Sequence, residues 1–273
     1  ARTWRAGSAG FFQGWRIEDV QRLGGISISN RVSGIPECVL PEVDVPKSFD
    51  AREKWRSCFP ALYEMGNCSA SWAIAAASAV SKRFCVASPG DFTALRLSPQ
   101  QLLSCGQFGG CGGAALDNVW GYIKNEGLVS EQCCPYQAAG GVACSPCDEE
   151  PKRIASVCRV GSLRHEIFLN GPVVAPVTLL NDFLVYRSGI YQETRTASYL
   201  VARNRQKQLH AVTVVGWGVE GSVDFWIIEN SFGKDWGEGG YAKVAVGSSK
   251  RKGILLDEFA FAVTPVNPKV SLG

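Results

Sequence analysis

The chain is predicted to be an α+β protein of two lobes. Helical patterns occupy its first half, strand patterns occupy its second, and a stretch dense in Cys, Pro and Gly lies between them. The expected division is an N-terminal segment over residues 1–44, a helical lobe over 45–150 and a β-rich lobe over 151–273.

Taken in order, residues 1–44 are Gly-rich and irregular, with one short helix expected from Ile17 to Leu23, where Val20 and Leu23 share a face, and no strong core signal. The texture changes at Val45-Pro46-Lys47-Ser48-Phe49-Asp50-Ala51-Arg52, where the packed body is expected to begin. From Ser71 to Val86 nearly every residue is small or apolar, which predicts a buried helix. Lys82 and Arg83 stand near its C-terminal end, where the helix dipole favours cations. A second helix is expected over Ser98–Ser104, with Ser98 as N-cap, Pro99 in the first turn and Gln101 at the capping-box position. Leu116–Asn125 reads as a third. Between Glu126 and Arg159 the pattern breaks into a disulfide-pinned loop region. Beyond Val160, the stretches Pro172–Thr178, His210–Gly216, Phe225–Glu229 and Gly240–Val246 are β-branched or aromatic and bounded by Gly and Asp, as strands are. One helix, near Leu163–Leu169, interrupts them.

Composition narrows the function classes. The 273 residues are 46% hydrophobic, enough for a sizeable core, and 28 basic against 25 acidic residues give a net charge of only +3. That balance argues against nucleic acid as a partner. The local clusters Arg203, Arg205, Lys207 and Lys250, Arg251, Lys252 read as solvated loops. The longest uncharged run, Asn67–Ser81, is too short and too rich in Ala and Ser to span a bilayer. Eleven cysteines suggest disulfides and an oxidising compartment. Zinc is the competing explanation, but Cys144-Ser-Pro-Cys147 has no second CxxC and only two histidines are present, so neither metal nor cofactor is expected. No signal-peptide pattern opens the chain, so secretion would require a targeting segment removed or lying upstream.

Three blocks carry the chemistry. Gly66-Asn67-Cys68-Ser69-Ala70-Ser71-Trp72-Ala73 opens the Ala-rich helix, His210 begins His-Ala-Val-Thr-Val-Val-Gly-Trp-Gly, and Asn230 sits in Glu-Asn-Ser-Phe-Gly-Lys-Asp-Trp-Gly-Glu-Gly-Gly-Tyr. Together they resemble the papain family of cysteine peptidases over residues 45–265. Ser48–Arg52, Gly127–Ser130, Asn170–Val173, Asp182–Leu184 and Ser188–Gln192 are similar to cathepsin B in particular. The resemblance implies a papain-like two-lobe fold, lysosomal or secreted, with an N-terminal pro-segment. Thr3–Gly7 resembles the later part of a cathepsin B propeptide, so residues 1–44 would be a truncated pro-segment running backwards through the cleft, with Leu23-Gly24-Gly25 near Ser71. A monomer with its own pro-segment in the cleft, and a peptide or protein ligand, are the implied partners.

By the same resemblance Ser71 inherits the nucleophile position, His210 the base, Asn230 the amide that orients it, and Trp236 the indole that shields the His-Asn pair. Gly112 and Gly113 take the place of a backbone ladder for substrate. Leu209 replaces a Gly and would push its bulk toward the cleft, and Ser231-Phe232 departs from the family, where Trp follows the Ser. Asp257 falls near an acidic residue of the second substrate pocket, with Glu258 competing for that place. The paired histidines of the cathepsin B occluding loop are absent between Cys134 and Cys147, so carboxydipeptidase activity is not implied. His165 reads as a surface residue without a role.

The departures are chemical. Where the family reads Gln-Gly-Ser-Cys-Gly-Ser-Cys-Trp-Ala, the nucleophile position holds Ser71 and the oxyanion-hole position holds Met65. A Cys thiol, with an intrinsic pKa of about 8.5, ionises readily beside an imidazolium and a helix N-terminus, whereas a Ser hydroxyl has no accessible anion. A Ser-His-Asn set also lacks the carboxylate of serine proteases, a loss of about 10⁴ in rate. Losing an oxyanion donor costs roughly a further 10² to 10³. The expectation is an inactive homologue with Ser71 serving as a helix N-cap. An engineered Cys-to-Ser change in an active endopeptidase is a rival reading, but Met65, Asn67, Ser69 and Ala70 all differ from the family pattern as well. An extracellular structural or decoy module is a second rival.

The resemblance pairs Cys58 with Cys85, Cys68 with Cys111, Cys105 with Cys144 and Cys133 with Cys147. Cys134 and Cys158 remain for a fifth bridge whose connectivity the sequence leaves open. Cys38 is then a free thiol or an intermolecular partner. Asn67-Cys68-Ser69 is a formal glycosylation acceptor, disfavoured by a buried Cys in the middle.

Overall fold

The computed structural model describes residues 3–8, 10–20, 23–27, 34–144, 147–201, 207–247, 254–255 and 257–266. Arg203, Arg205, Lys250, Arg251 and Lys252 lie outside them. The N-terminal segment contributes β1 (Trp4–Ala6), α1 (Ile17–Val20) and β2 (Ile26–Ser27). The body begins with β3 (Phe49–Asp50) and α2 (Ala51–Lys54), followed by α3 (Ser71–Ala87), α4 (Pro99–Cys105), β4 (Ala114–Ala115) and α5 (Leu116–Asn125). The strands β5 (Ile154–Arg159), β6 (Val173–Thr178), β7 (Tyr186–Tyr191), β8 (Leu209–Glu220), β9 (Val223–Glu229), β10 (Tyr241–Ala245) and β11 (Phe261–Pro265) follow, with α6 (Leu163–Asn170) between β5 and β6. Their sheet runs β1-β7-β10-β9-β8-β6-β11-β5, antiparallel except where β10 meets β7. The α+β class is therefore as expected. The loop region expected up to Arg159, however, ends in a strand, because β5 pairs with β11 from the far end of the chain.

α3 is buried without a break from Ser71 to Cys85, and packs on β8, β6 and β11 as well as on α4, α5 and α6. Burial changes the meaning of Lys82 and Arg83. They do not sit on the helix end in solvent; both are buried and each meets a carboxylate from the second half of the chain. Lys82 Nζ lies 2.8 Å from Glu229 Oε1. The same oxygen accepts a hydrogen bond from Ser78, and Tyr241 donates to Glu229 Oε2. The Arg83 guanidinium meets Glu166 and the carbonyls of Gly171 and Pro172. Removing one partner of such a pair strands a buried charge, so Lys82→Met should cost about 3–5 kcal/mol in urea unfolding. Lys82→Met/Glu229→Leu should recover most of that loss.

The cap of α4 forms only in half. Ser98 Oγ accepts from the Gln101 N–H, but the Gln101 side chain is engaged elsewhere, accepting from Val129 N and donating to the Gly127 carbonyl. The N-terminal segment also departs from expectation. Leu23, expected to end α1, lies outside the helix; Trp4 and Leu23 are buried, and Phe11, Phe12 and Trp15 pack on the body.

Three disulfides pair as the resemblance implied: Cys58–Cys85, Cys68–Cys111 and Cys133–Cys147. The others differ. Cys134 pairs with Cys144, Cys38 pairs with Cys158, and Cys105 is the free and exposed thiol among the described residues. The main chain explains the Cys38 bridge: Cys38 N–H donates to the Arg159 carbonyl and Arg159 N–H donates to the Pro36 carbonyl, which brings residue 38 alongside residue 158. No described helix is long and apolar enough to cross a membrane.

Candidate active site

Ser71 is the first residue of α3, not its cap; Ala70 holds the cap position without a side-chain bond. Ser71 is fully buried, and its Oγ accepts a hydrogen bond from the Ala211 N–H at 3.1 Å. The β8–β9 hairpin supplies the rest of the site. His210 sits at the start of β8 and Asn230 directly after β9, where its N–H donates to the Gly240 carbonyl.

His210 Nε2 lies 2.7 Å from Asn230 Oδ1. That oxygen also accepts from the Ser231 N–H, which fixes it as an acceptor and places the ring proton of a neutral His210 on Nε2. The other nitrogen, Nδ1, is buried and has no hydrogen-bond partner. Burial pushes the imidazole down to a pKa of about 4, against weaker favourable effects of Asn230 and the Leu23 backbone. The ring is therefore a neutral base without a proton donor, while the hydroxyl expected to serve it bonds to main chain.

Met65, expected at the oxyanion position, is 1% exposed, and its thioether is a weak acceptor of a hydrogen bond from Ser231 Oγ at 3.4 Å. The ring in contact with His210 is Phe232, with centroids 4.6 Å apart; Trp236 stands behind it, 5.4 Å from Phe232, and donates to the Leu184 carbonyl. The shielding role expected of Trp236 thus falls first to Phe232. Position 232 carries a ring directly after the Asn-Ser pair, which is the signal that could have found it.

The N-terminal segment occupies the cleft. Ile26 pairs in parallel with Ala114 on one wall and antiparallel with Leu209 on the other. Ala114 N–H donates to the Gly25 carbonyl, and Gly24 N–H donates to Gln208 Oε1. A Cβ on Gly25 would overlap the Ser69 carbonyl, and one on Gly24 would come within 2.5 Å of Gln208 Cβ. Gly113 has φ +100° and admits no side chain against Gly25, whereas Gly112 faces open space. Phe11 stacks on Phe232 at 5.3 Å, and Phe12 meets the same ring edge-on at 5.2 Å. A cavity of about 450 Å³, lined by Trp15, Asp19, Met65, Asn67 and Ser69, remains beneath the segment. Gly25→Ala should therefore unseat β2. The expected result is loss of slow hydrogen exchange at the Ala114 amide, with little change in the unfolding midpoint of the body.

Asp257 is not in this cleft. It opens with Glu258 on a separate cavity that Arg159, Arg164 and Trp226 also line, and burial followed by Glu258 raises its pKa. The residues of that stretch that reach the cleft strands are Ile254 and Leu255, which bond to Thr178 and pair with Val177. His165 bonds to Ser162 at the start of α6. Cys133, Cys147 and Glu149 have the spacing of metal ligands, but a disulfide consumes both sulfurs.

Comparison with known proteins agrees with this geometry. The family model for papain family cysteine proteases matches residues 45–261. The chain belongs to the papain family. Within that family it is 30% identical to cathepsin B-like CP3 of Giardia intestinalis, over 88% of this chain and 83% of that protein. It is 34% identical to tubulointerstitial nephritis antigen of Homo sapiens, over 89% of this chain and 60% of the relative, so it spans about three fifths of that protein's length. Among solved structures, proCathepsin B S9 from Trypanosoma congolense superimposes with a TM-score of 0.83 at 29% identity, covering 97% of this papain-family chain and 94% of that one. Digestive procathepsin L2 from the Tenebrio molitor larval midgut gives 0.79 at 25%, covering 96% and 84%. Both neighbours are proforms, and the fold is papain-like throughout.

Proposed function

We propose that this cathepsin B-like papain-family homologue does not hydrolyse peptides and instead uses its cleft for binding. In this reading residues 1–44 are a retained pro-segment, 45–150 and 151–273 are the two lobes, and the protein resides in the lysosome or is secreted. The observation that carries the reading is the bond from Ala211 N–H to Ser71 Oγ, beside a His210 Nδ1 left without a partner. Accepting from main chain leaves the Ser71 O–H free to donate, but no hydrogen bond joins it to His210 Nδ1, so the hydroxyl and the base are not engaged. Met65 supports the same conclusion, because a thioether supplies no hydrogen to a developing oxyanion.

The test is turnover of a fluorogenic dipeptide by the natural chain, intact and after displacement of the N-terminal segment. No turnover above background is expected in either form. Hydrolysis at rates near those of active cathepsins would refute the proposal. Calorimetry with peptides on the displaced form separates a binding cleft from an inert scaffold.

A further inference from the structure

The described parts of the N-terminal segment are anchored at several places. β1 extends the sheet at β7, and Trp4 Nε1 donates to the Gln192 carbonyl. The aromatic group at Phe11 and Phe12 seats on Phe232, Leu23–Ser27 fill the cleft, and Ile35–Cys38 bond along Arg159. The last of these anchors is covalent, through Cys38–Cys158. Between that bridge and β3 the chain is accessible: Val39 is 97% exposed, and Pro41, Glu42, Asp44, Pro46 and Lys47 are exposed as well.

A cut in this stretch divides the chain but not the molecule. We infer that the Cys38–Cys158 bridge makes the segment a tethered ligand of its own cleft, so that cleavage between Cys38 and Phe49 releases it from the molecule only when the bridge is reduced as well. The inference rests on the reading that the cleft binds peptides, and it names how that binding is controlled. The reduction consumes one dithiol: its two electrons break the S–S bond, two protons complete the Cys38 and Cys158 thiols, and the reductant leaves as its own disulfide. Cys38 and Cys158 are both half-buried, within reach of a small dithiol, whereas Cys58, Cys85 and Cys68 are buried in the core. As long as the bridge stands, the tethered segment competes at an effective concentration of order millimolar, so a ligand at micromolar concentration is disfavoured by about 10³-fold.

The test inserts a site-specific protease sequence between Glu42 and Val43 of the full chain, with and without Cys38→Ser/Cys158→Ser. After cutting, the probe is a labelled peptide of residues 20–29, and hydrogen exchange is followed at the Ala114 and Leu209 amides. The cut wild-type chain should keep its full mass without reductant, keep both amides protected and bind the probe about 10³-fold more weakly than the cut double-serine form. The double-serine form should lose its protection. Equal protection and equal probe affinity in the two cut forms would overturn the inference, as would two separate masses from the cut wild type. If the double-serine form loses protection but binds no peptide, the tether stands and the peptide-binding reading falls.

Discussion

In a chain whose cleft is freed by Gly25→Ala, Ser71→Cys alone should give at most weak peptidase activity, and Ser71→Cys/Met65→Gln should exceed it by roughly 10² to 10³ in kcat. The single change restores the element that ionises, but the tetrahedral intermediate would still face a thioether where a side-chain amide is needed. Ser71→Cys with the segment in place should give nothing measurable. In the closed form burial pushes His210 down to a pKa of about 4, which opposes the imidazolium of an ion pair, and the segment itself fills the cleft between Ala114 and Leu209. Full activity from Ser71→Cys alone would mean that Met65 does not impair the oxyanion hole and would revive the reading of an active enzyme altered at one residue. Initial rates with a fluorogenic dipeptide, normalised by active-site titration, decide between the two.

Acid should open the cleft. Burial holds His210 at about 4 in the closed form, and a ring that opening hydrates moves back toward the ordinary 6.5, so the closed form excludes a proton that the open form takes up. Closure is therefore at full strength above about pH 6.5 and weakens as pH falls through that value. The weakening is complete near pH 4, where the closed form too becomes protonated. Over that window the closed form should lose at most about 3 kcal/mol relative to the open one, the limit reached if opening hydrates the ring fully. The measurement is hydrogen exchange at the Ala114 amide from pH 7 to pH 4, corrected for intrinsic exchange, with His210→Gln as reference. A pH response that survives His210→Gln would assign the effect to another group. Asp257, outside the cleft, bears on folding rather than closure: because its pKa is raised in the folded protein, its contribution to stability is present at low pH and lost as pH rises, and Asp257→Asn removes it.

Local pattern located much of this molecule. An uninterrupted run of small residues sufficed for α3, and Leu116–Asn125 was legible as α5 because its apolar positions return with helical spacing. The motif blocks around Ser71, His210 and Asn230 were enough to bring the three residues into one proposed site, since each lies at the start or end of an element that its own neighbours specify. Substituted chemistry was equally plain, because the difference between a hydroxyl and a thiol needs no coordinates.

What neighbours in the sequence cannot encode is who stands across the fold. Lys82 reads as a solvated helix end until Glu229, 147 residues away, is placed beside it. The bond that holds Ser71 Oγ comes from a main-chain N–H on β8, which no side-chain pattern announces. Phe232 rather than Trp236 covers His210 because the turn after β9 sets which ring arrives first, and Asp257 turns away from the cleft because Ile254 and Leu255 take the places beside β6. Cys38 chose Cys158 over solution because Pro36 and Cys38 bond along Arg159. Composition and order therefore determined the class and the family. Partner choice for charges, sulfurs and rings was left to the tertiary structure, because those energies depend on desolvation and distance between segments that the chain keeps far apart.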